Sequence, residues 1–167
     1  WRAERVMVLD FDAHHGDGTE EILADRPGVR FLSLFQWPLF PHRRMEPTPS
    51  NAVLSPLPAG AGGEEIRSVV ENVWLPEIDK FQPDLMILSA GFDAHCEERI
   101  AQLKAGEMDY ACVTRLLVEA SFAYCEGRLV SVLEGGYELR SLARSVFTHL
   151  QGLIRNPLPA ETCKDPN

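Results

Sequence analysis

Short apolar runs that alternate with stretches of helical periodicity constrain the fold of this chain more than any other feature. The runs cover residues 5–10, 29–34, 84–88 and 129–133, and a weaker candidate covers 51–57. Runs of this length are typical of strands buried in a parallel sheet. Apolar residues at helical spacing predict helices over 63–80, with a bend at Pro76, over 107–125 and over 139–153. We therefore predict an α/β domain with a mostly parallel sheet and helices on both faces.

Three of these runs lead directly into polar motifs that contain glycine. The first run enters DFDAHHGDG at residues 10–18, the third enters SAGFDAH at 89–95, and the fourth enters EGGY at 134–137. Ligands of open parallel sheets bind beyond the carboxyl ends of the strands. The fold and the motifs therefore predict one site at one edge of the sheet.

The first two motifs carry residue types that bind metals. Asp12 and His14 project from the same side of an extended segment, so both can reach one cation. A carboxylate and an imidazole suit zinc or another divalent first-row metal, and Asp93 can supply a third ligand. Three protein ligands would leave room for water and a substrate oxygen, as in catalytic sites. The alternative is an acidic loop that merely caps a helix or fills turns.

The three motifs together resemble those of the histone deacetylase superfamily, which includes bacterial acetylpolyamine amidohydrolases. DFDAHHGDG, SAGFDAH and LEGGY occur in the same order and at similar separations, and the resemblance runs from about Val6 to about Leu153. It implies an arginase/deacetylase-like three-layer fold, with residues 1–155 as the C-terminal part of the catalytic domain and 156–167 as a polar tail. It also implies that Asp12, His14 and Asp93 bind Zn²⁺ and that the Tyr137 hydroxyl faces the substrate carbonyl.

The same resemblance assigns roles to residues around these ligands. Asp10 and Asp17 would orient catalytic histidines from behind. Alternation along an extended segment separately predicts that His15 faces away from the metal, where it would be a supporting donor. Asp10, Ser33 and the Leu34 carbonyl would surround a monovalent cation, K⁺. The residues implied at the substrate are Phe40 on the wall of the acyl-lysine tunnel and Gly135 and Gly136, which would let the backbone approach the acyl group.

The chain departs from the family pattern in three ways. The adjacent histidine pair that serves as general base and acid in relatives lies upstream of the first motif and has no counterpart here; the single histidines His42, His95 and His149 are expected to be surface or packing residues. The segment Pro41–Arg44 replaces a glycine-rich turn at the tunnel rim. The chain also begins at Trp1, so we expect a piece of a longer protein that has feeble activity alone.

Composition limits the partners and the location. The net charge of -9 repels nucleic acid and favours a cationic substrate. No apolar run approaches the roughly 20 residues of a membrane helix and no leader is visible, so we expect a soluble, cytoplasmic protein that does not bind membranes. The cysteines form no CxxC pair, so a thiolate zinc site is not expected. The sequence leaves homo-oligomer formation open.

The function predicted is a zinc-dependent amidohydrolase that removes an acetyl or similar acyl group from a lysine side chain or a polyamine. One alternative is a truncated, non-catalytic product that acts as a metal-binding or assembly module. Another is an arginase-like manganese hydrolase, which would need a further aspartate two positions beyond the histidine. That position is Gly16, which favours a single metal.

Overall fold

A parallel sheet forms the centre of the molecule. The computed structural model describes residues 2–42 and 48–154. Five strands run across it in the order β3-β2-β1-β4-β5, and each neighbouring pair is parallel. Their bounds are Val6–Asp10 for β1, Val29–Gln36 for β2, Ala52–Leu57 for β3, Leu85–Ala90 for β4 and Leu129–Leu133 for β5. The predicted parallel sheet is confirmed, and β1 lies at its middle.

Helices cover both faces of this sheet, but unequally. They are α1 (Asp17–Leu23), α2 (Gly63–Val69), α3 (Leu75–Phe81), α4 (Glu107–Cys125) and α5 (Leu139–Leu153). Side chains alternate along β1, so Met7 and Leu9 point into the main core, where they join Trp74 and Leu117. The opposite face, with Val8 and Asp10, meets α1 near β2. The sequence pattern did not predict α1.

An irregular turn joins α2 to α3. Residues Val70–Trp74 form a π-helical turn, in which the Leu75 amide donates to the Val70 carbonyl. The buried side chains of this helical stretch are Ile66, Val70, Trp74 and Ile78, at a constant spacing of four. In a regular α-helix each such step advances about 40° beyond a full turn, so the four would spiral off one face. The wider turn holds more residues and keeps them facing the sheet. It lies directly before Pro76, where a bend was predicted.

The β5 end of the sheet exposes apolar surface. The pairing register puts Val130 beside Ile87 and Ile87 beside Val8, so all three lie on the face that α1 partly covers. Val8 is buried, but Val130 and Val132 are 50% and 47% exposed. On α5, Phe147 and Leu150 are also exposed. Within residues 2–42 and 48–154, no strand pairs with the free edge of β5.

His149 of α5 is buried in the main core between two hydroxyl groups. The Thr114 hydroxyl donates to the Tyr110 carbonyl at 2.6 Å, so its oxygen accepts from His149 Nδ1, also at 2.6 Å. Ser131 Oγ lies 2.8 Å from Nε2 and can donate to it. The neutral imidazole therefore satisfies both nitrogens. Burial lowers the pKa of His149 from 6.5 to about 4.

This lowered pKa predicts a stability that depends on pH. Between pH 6.5 and about 4 the unfolded chain binds a proton at this position and the folded chain does not, so stability falls as the pH drops through that range. We expect a loss on the order of 3 kcal/mol in the free energy of unfolding from this residue. Urea unfolding across this range should show a shallower pH dependence in His149→Gln. Parallel curves for both proteins would contradict the assignment.

Candidate metal centre

Three loops leave the sheet side by side at the carboxyl ends of β1, β4 and β5. Because the strands are parallel and in register, Asp10 lies beside Ser89, and the Phe11 amide donates to the Ser89 carbonyl at 3.1 Å. Beyond the strands, the Phe92 amide donates to the Gly135 carbonyl at 2.8 Å. These bonds extend the sheet pairing into the loops. The three sequence motifs therefore meet at one edge.

Asp12, His14 and Asp93 converge there. His14 Nδ1 lies 3.0 Å from Asp12 Oδ1 and 2.8 Å from Asp93 Oδ2. One donor atom from each residue lies within 4.8 Å of the others, and this is the only such group of three among the residues that the structure describes. Asp93 is fully buried, and Asp12 and His14 are partly buried.

Backbone amides hold both carboxylates in place. The Ala13 amide donates to Asp93 Oδ1 at 2.8 Å, which ties the β4 loop to the β1 loop. The amides of His14 and Gly135 donate to the two oxygens of Asp12, at 2.8 Å and 2.9 Å. Charge-assisted bonds of this kind are stronger than neutral ones, so the carboxylates are oriented before any cation arrives.

Two glycines make this close packing possible. A Cβ on Gly135 would lie 2.4 Å from Asp93 Oδ2 and 2.5 Å from Asp12 Oδ2. A Cβ on Gly91 would lie 2.3 Å from Asp12 Oδ2. Any larger residue at either position would push a carboxylate away from His14, so the motif needs glycine at both.

The charges of the three side chains are coupled. Hydrogen bonds to Asp12 and Asp93 raise the pKa of His14 from 6.5 to about 10, so the imidazole is positively charged at neutral pH. Burial raises the pKa of Asp93. Burial also opposes ionisation of Asp12, but its bonds from His14 and Gly135 prevail and lower its pKa. A proton on Nδ1 thus occupies the point where the two carboxylates meet.

Asp10 and Ser33 lie behind this cluster. They are register partners on β1 and β2, both are buried, and Ser33 Oγ has no hydrogen-bond partner. Asp10 accepts from the Asp12 amide at 3.0 Å, and burial raises its pKa well above the ordinary value. The Leu34 side chain belongs to the opposite, apolar face and is fully buried in the core.

His15 turns away from the three converging residues. Its ring stacks on Phe35 at a centroid distance of 4.5 Å, and its Nε2 lies 2.5 Å from Glu20 Oε2 on α1. The sequence reasoning missed Glu20, which is the buried residue of α1. This contact ties α1 to the sheet behind the site.

A cavity of about 440 Å³ opens above the converging residues. Asp12 and His14 line it together with Asp17, Glu134 and Gly135, while Phe40 and Tyr137 supply aromatic surface and are 68% and 58% exposed. Gly136, beside Tyr137, adopts a φ of +133° that suits glycine. Most of the predicted site residues thus surround one opening.

The single histidines lie elsewhere. His42 is an exposed loop residue, whereas His95 and His149 are buried, and none of the three lines the cavity. Arg43 and Arg44 belong to the segment that was predicted to replace a glycine-rich turn at the tunnel rim, and they lie outside the described residues. The predicted tail at 156–167 lies outside them as well.

Comparison with known proteins decides the family. The family model described as "Histone deacetylase domain" matches residues 1–153. The chain belongs to the histone deacetylase domain family. It is 34% identical to "Histone deacetylase 10, chloroplastic" of Oryza sativa subsp. japonica over 98% of this chain and 38% of that protein. It is 38% identical to a "Probable deacetylase" of Archaeoglobus fulgidus over 81% of this chain and 40% of that protein.

Solved structures agree with this assignment. The structure of the histone deacetylase Clr3 superposes with a TM-score of 0.85 at 30% identity, over 93% of this chain and 27% of that one. The arginase/deacetylase-like fold is therefore confirmed. The chain spans about two fifths of the length of the rice and archaeal relatives.

The donor set fits a single divalent ion. Two carboxylates and one imidazole are ligands that zinc accepts, and three protein ligands leave positions open. A second ion of the arginase type would need a carboxylate at position 16. A Cβ on Gly16 would lie 2.2 Å from Asp10 Oδ2, so a side chain at this position would displace the Asp10 carboxylate.

Loss of either carboxylate should abolish metal binding. We expect the purified chain to bind about one zinc ion, and Asp12→Ala and Asp93→Ala to bind none, because each removes one of three ligands. Elemental analysis after dialysis measures the stoichiometry. Asp79→Ala is a matched control, since Asp79 accepts from the Tyr124 hydroxyl on α4, away from these loops. Unchanged zinc in both test variants would remove the site from consideration.

Metal binding should also release a proton. His14 must give up the Nδ1 proton to act as a ligand, and its pKa of about 10 means that the proton is present at pH 8. We expect about one proton released per zinc at pH 8, falling toward none as the pH rises through 10. Titration calorimetry in buffers of different ionisation enthalpy measures this number. Heats that do not depend on the buffer would contradict it.

Proposed function

We propose that this chain is the metal-binding, C-terminal part of a zinc-dependent deacetylase domain. Its reaction would be hydrolysis of an amide that joins an acetyl or similar acyl group to a lysine side chain or a polyamine. The observation that carries the proposal is the convergence of Asp12, His14 and Asp93 at the floor of a cavity that Tyr137 lines. Family membership supports a deacetylase reaction, and the donor set favours zinc.

Zinc bound by these residues would supply Lewis-acid polarisation of the amide carbonyl and a lowered pKa for water. The chain itself supplies the orientation. Backbone amides fix both carboxylates, and Gly91 and Gly135 bring the loop backbones within contact distance of them. The ligands are therefore positioned by main-chain atoms, which move less than long side chains do.

Tyr137 is the proposed hydrogen-bond donor to the reacting carbonyl. Burial and then the charges of Asp93 and Asp12 raise its pKa above the ordinary value of 10, so its hydroxyl stays protonated at neutral pH. Attack on an amide places negative charge on the carbonyl oxygen, and a phenol donor stabilises charge that exists only in the transition state. The glycine pair before it would leave space for a small acyl group.

The walls of the cavity suit a long cationic amine. Phe40 and Tyr137 offer aromatic surface to an alkyl stem, while Asp17 and Glu134 place negative charge at the same opening. The overall charge of -9 acts in the same direction over a longer range. Among the relatives is a human protein named "Polyamine deacetylase HDAC10", 33% identical over 93% of this chain. Acetyl-lysine and acetylpolyamines are both included in the proposal.

A monovalent cation, K⁺, is proposed beside the zinc site. Asp10 would be its charged ligand, with the Ser33 hydroxyl and the Leu34 carbonyl as neutral ones. Support comes from the buried Ser33 Oγ, which has no partner, and from the buried Asp10 carboxylate next to it. A cation there would favour ionised Asp10 against the burial that now raises its pKa.

The general base is proposed to come from a segment outside this chain. None of the single histidines lines the cavity, and the chain covers about two fifths of the rice and archaeal relatives. The free edge of β5, with half-exposed Val130 and Val132, offers an apolar surface on which such a segment could pack. The alternative, a non-catalytic metal-binding or assembly module, needs no such segment.

The location proposed for the protein is the cytoplasm.

The test is hydrolysis of an acetyl-lysine peptide and of an acetylated polyamine by the protein extended with the segment encoded upstream. Tyr137→Phe should lower kcat by about a hundred- to a thousandfold, the usual cost of one oxyanion donor, and leave the zinc content unchanged. Tyr124→Phe removes the same atom from a tyrosine that bonds Asp79 and should retain full activity.

Two outcomes would count against this mechanism. Loss of zinc from Tyr137→Phe would contradict the assigned role, because a donor to the substrate carbonyl is not a ligand. A zinc-loaded, extended protein that hydrolyses neither substrate would favour the non-catalytic module.

A further inference from the structure

Glu98 makes a pair of contacts that the catalytic proposal does not use. Its Oε1 accepts from the Tyr137 amide at 2.7 Å and from the Glu138 amide at 2.8 Å. Glu98 lies in the loop after β4, whereas Tyr137 and Glu138 lie in the segment between β5 and α5. One carboxylate oxygen therefore joins two loops of the site across a sequence separation of 39 residues.

The loop that carries Glu98 is itself fastened to the body of the protein. The Glu98 amide donates to the His95 carbonyl at 2.9 Å, and the Cys96 amide donates to the Ala105 carbonyl at 2.8 Å. His95 is buried, and its Nδ1 accepts from the Glu97 amide at 3.1 Å. Glu98 thus stands on a short, internally bonded turn close to the proposed ligand Asp93.

The segment that Glu98 grips is otherwise difficult to fix. Gly136 has a positive φ, and the Tyr137 side chain is 58% exposed, so side-chain packing alone does not hold it. Tyr137 and Glu138 directly precede α5, and amides at a helix start lack partners within the helix. A carboxylate at that end satisfies the amides and interacts favourably with the helix dipole.

We infer that Glu98 is a positioning residue, which sets the location of the Tyr137 hydroxyl by holding the backbone amides of Tyr137 and Glu138. This inference rests on the proposed function only for its kinetic consequence. The structural part, that Glu98 orders the 137–138 backbone, stands without it. Glu98 acts through Tyr137 and touches neither ligand nor reacting atoms.

The structural part is tested by amide hydrogen exchange on the chain itself. Removing a hydrogen bond to a charged group should speed exchange at the Tyr137 and Glu138 amides by about ten- to a hundredfold in Glu98→Ala. Glu98→Gln keeps an acceptor oxygen at the same reach and should restore most of the protection. Equal exchange in the unaltered protein and in Glu98→Ala would overturn the inference.

Glu97→Gln is the matched control for loss of a negative charge in the same loop. Glu97 bonds the exposed Arg144 side chain at 2.5 Å and is itself 48% exposed, so this contact contributes little. Its substitution should leave exchange at both amides unchanged. Faster exchange at these amides in Glu97→Gln as well would assign the effect to charge and overturn the role of Glu98.

The kinetic part uses the extended protein. Glu98→Ala should lower kcat by about tenfold or more with little change in KM and no loss of zinc, and Glu98→Gln should recover most of the turnover. In the Tyr137→Phe background the further loss should vanish, because the hydroxyl that Glu98 positions is already absent. An equal loss in both backgrounds would overturn the inference. Absence of turnover in the unaltered protein would instead refute the proposed function and leave the exchange result valid.

Discussion

Two carboxylates facing a common point are the constraint on which the site depends. Oxygens of Asp12 and Asp93 lie within 4.8 Å of each other, so the two carboxylates repel unless a positive charge lies between them. The protonated His14 ring supplies that charge. The neighbouring main chain stabilises this arrangement. Main-chain amides hold the oxygens, and glycines at 91 and 135 keep space for them. The sheet contributes by ending β1, β4 and β5 in register, so that residues far apart in sequence meet without long connecting segments.

Much of the fold could be predicted because hydrophobic periodicity reports burial directly. Each predicted apolar run became a strand, because short runs rich in apolar and β-branched residues are typical of strands in a parallel sheet. The helix α1 was not predicted, because it buries almost no apolar side chain and so has no hydrophobic periodicity. Its sequence DGTEEIL offers no apolar stripe, Ile22 is exposed, and its one buried residue is Glu20. That helix is fixed by the pairing of Glu20 with His15 and not by hydrophobic burial, and single-sequence patterns do not show such pairs. The central place of β1 also depends on tertiary pairing.

The motifs predicted the candidate site better than they predicted its support. Asp12, His14 and Asp93 follow strands, so parallel topology alone brings them to one edge. Glu98 gave no comparable signal, because it binds backbone amides, and any residue can offer those. Even the direction in which His15 points follows from simple alternation along an extended segment, whereas its partner does not. Side chains in motifs that directly follow strands are thus visible in sequence, whereas a side chain whose partner is the main chain or lies outside the motif is not.

The wide turn at Val70–Trp74 makes the length of its segment part of the packing. Ile66, Val70, Trp74 and Ile78 share a face only because the surplus rotation is absorbed there. Deleting one residue from this turn would leave a regular α-helix in which, at about 100° per residue, Trp74 and Ile78 still lie within about 20° of the direction of Ile66. The turn therefore acts as a one-residue insertion that the helix accommodates locally. A deletion in the regular turns on either side, with the wide turn retained, would instead rotate the residues beyond it by about 100°, so single-residue deletions should be tolerated better at Val70–Trp74 than elsewhere in this helix.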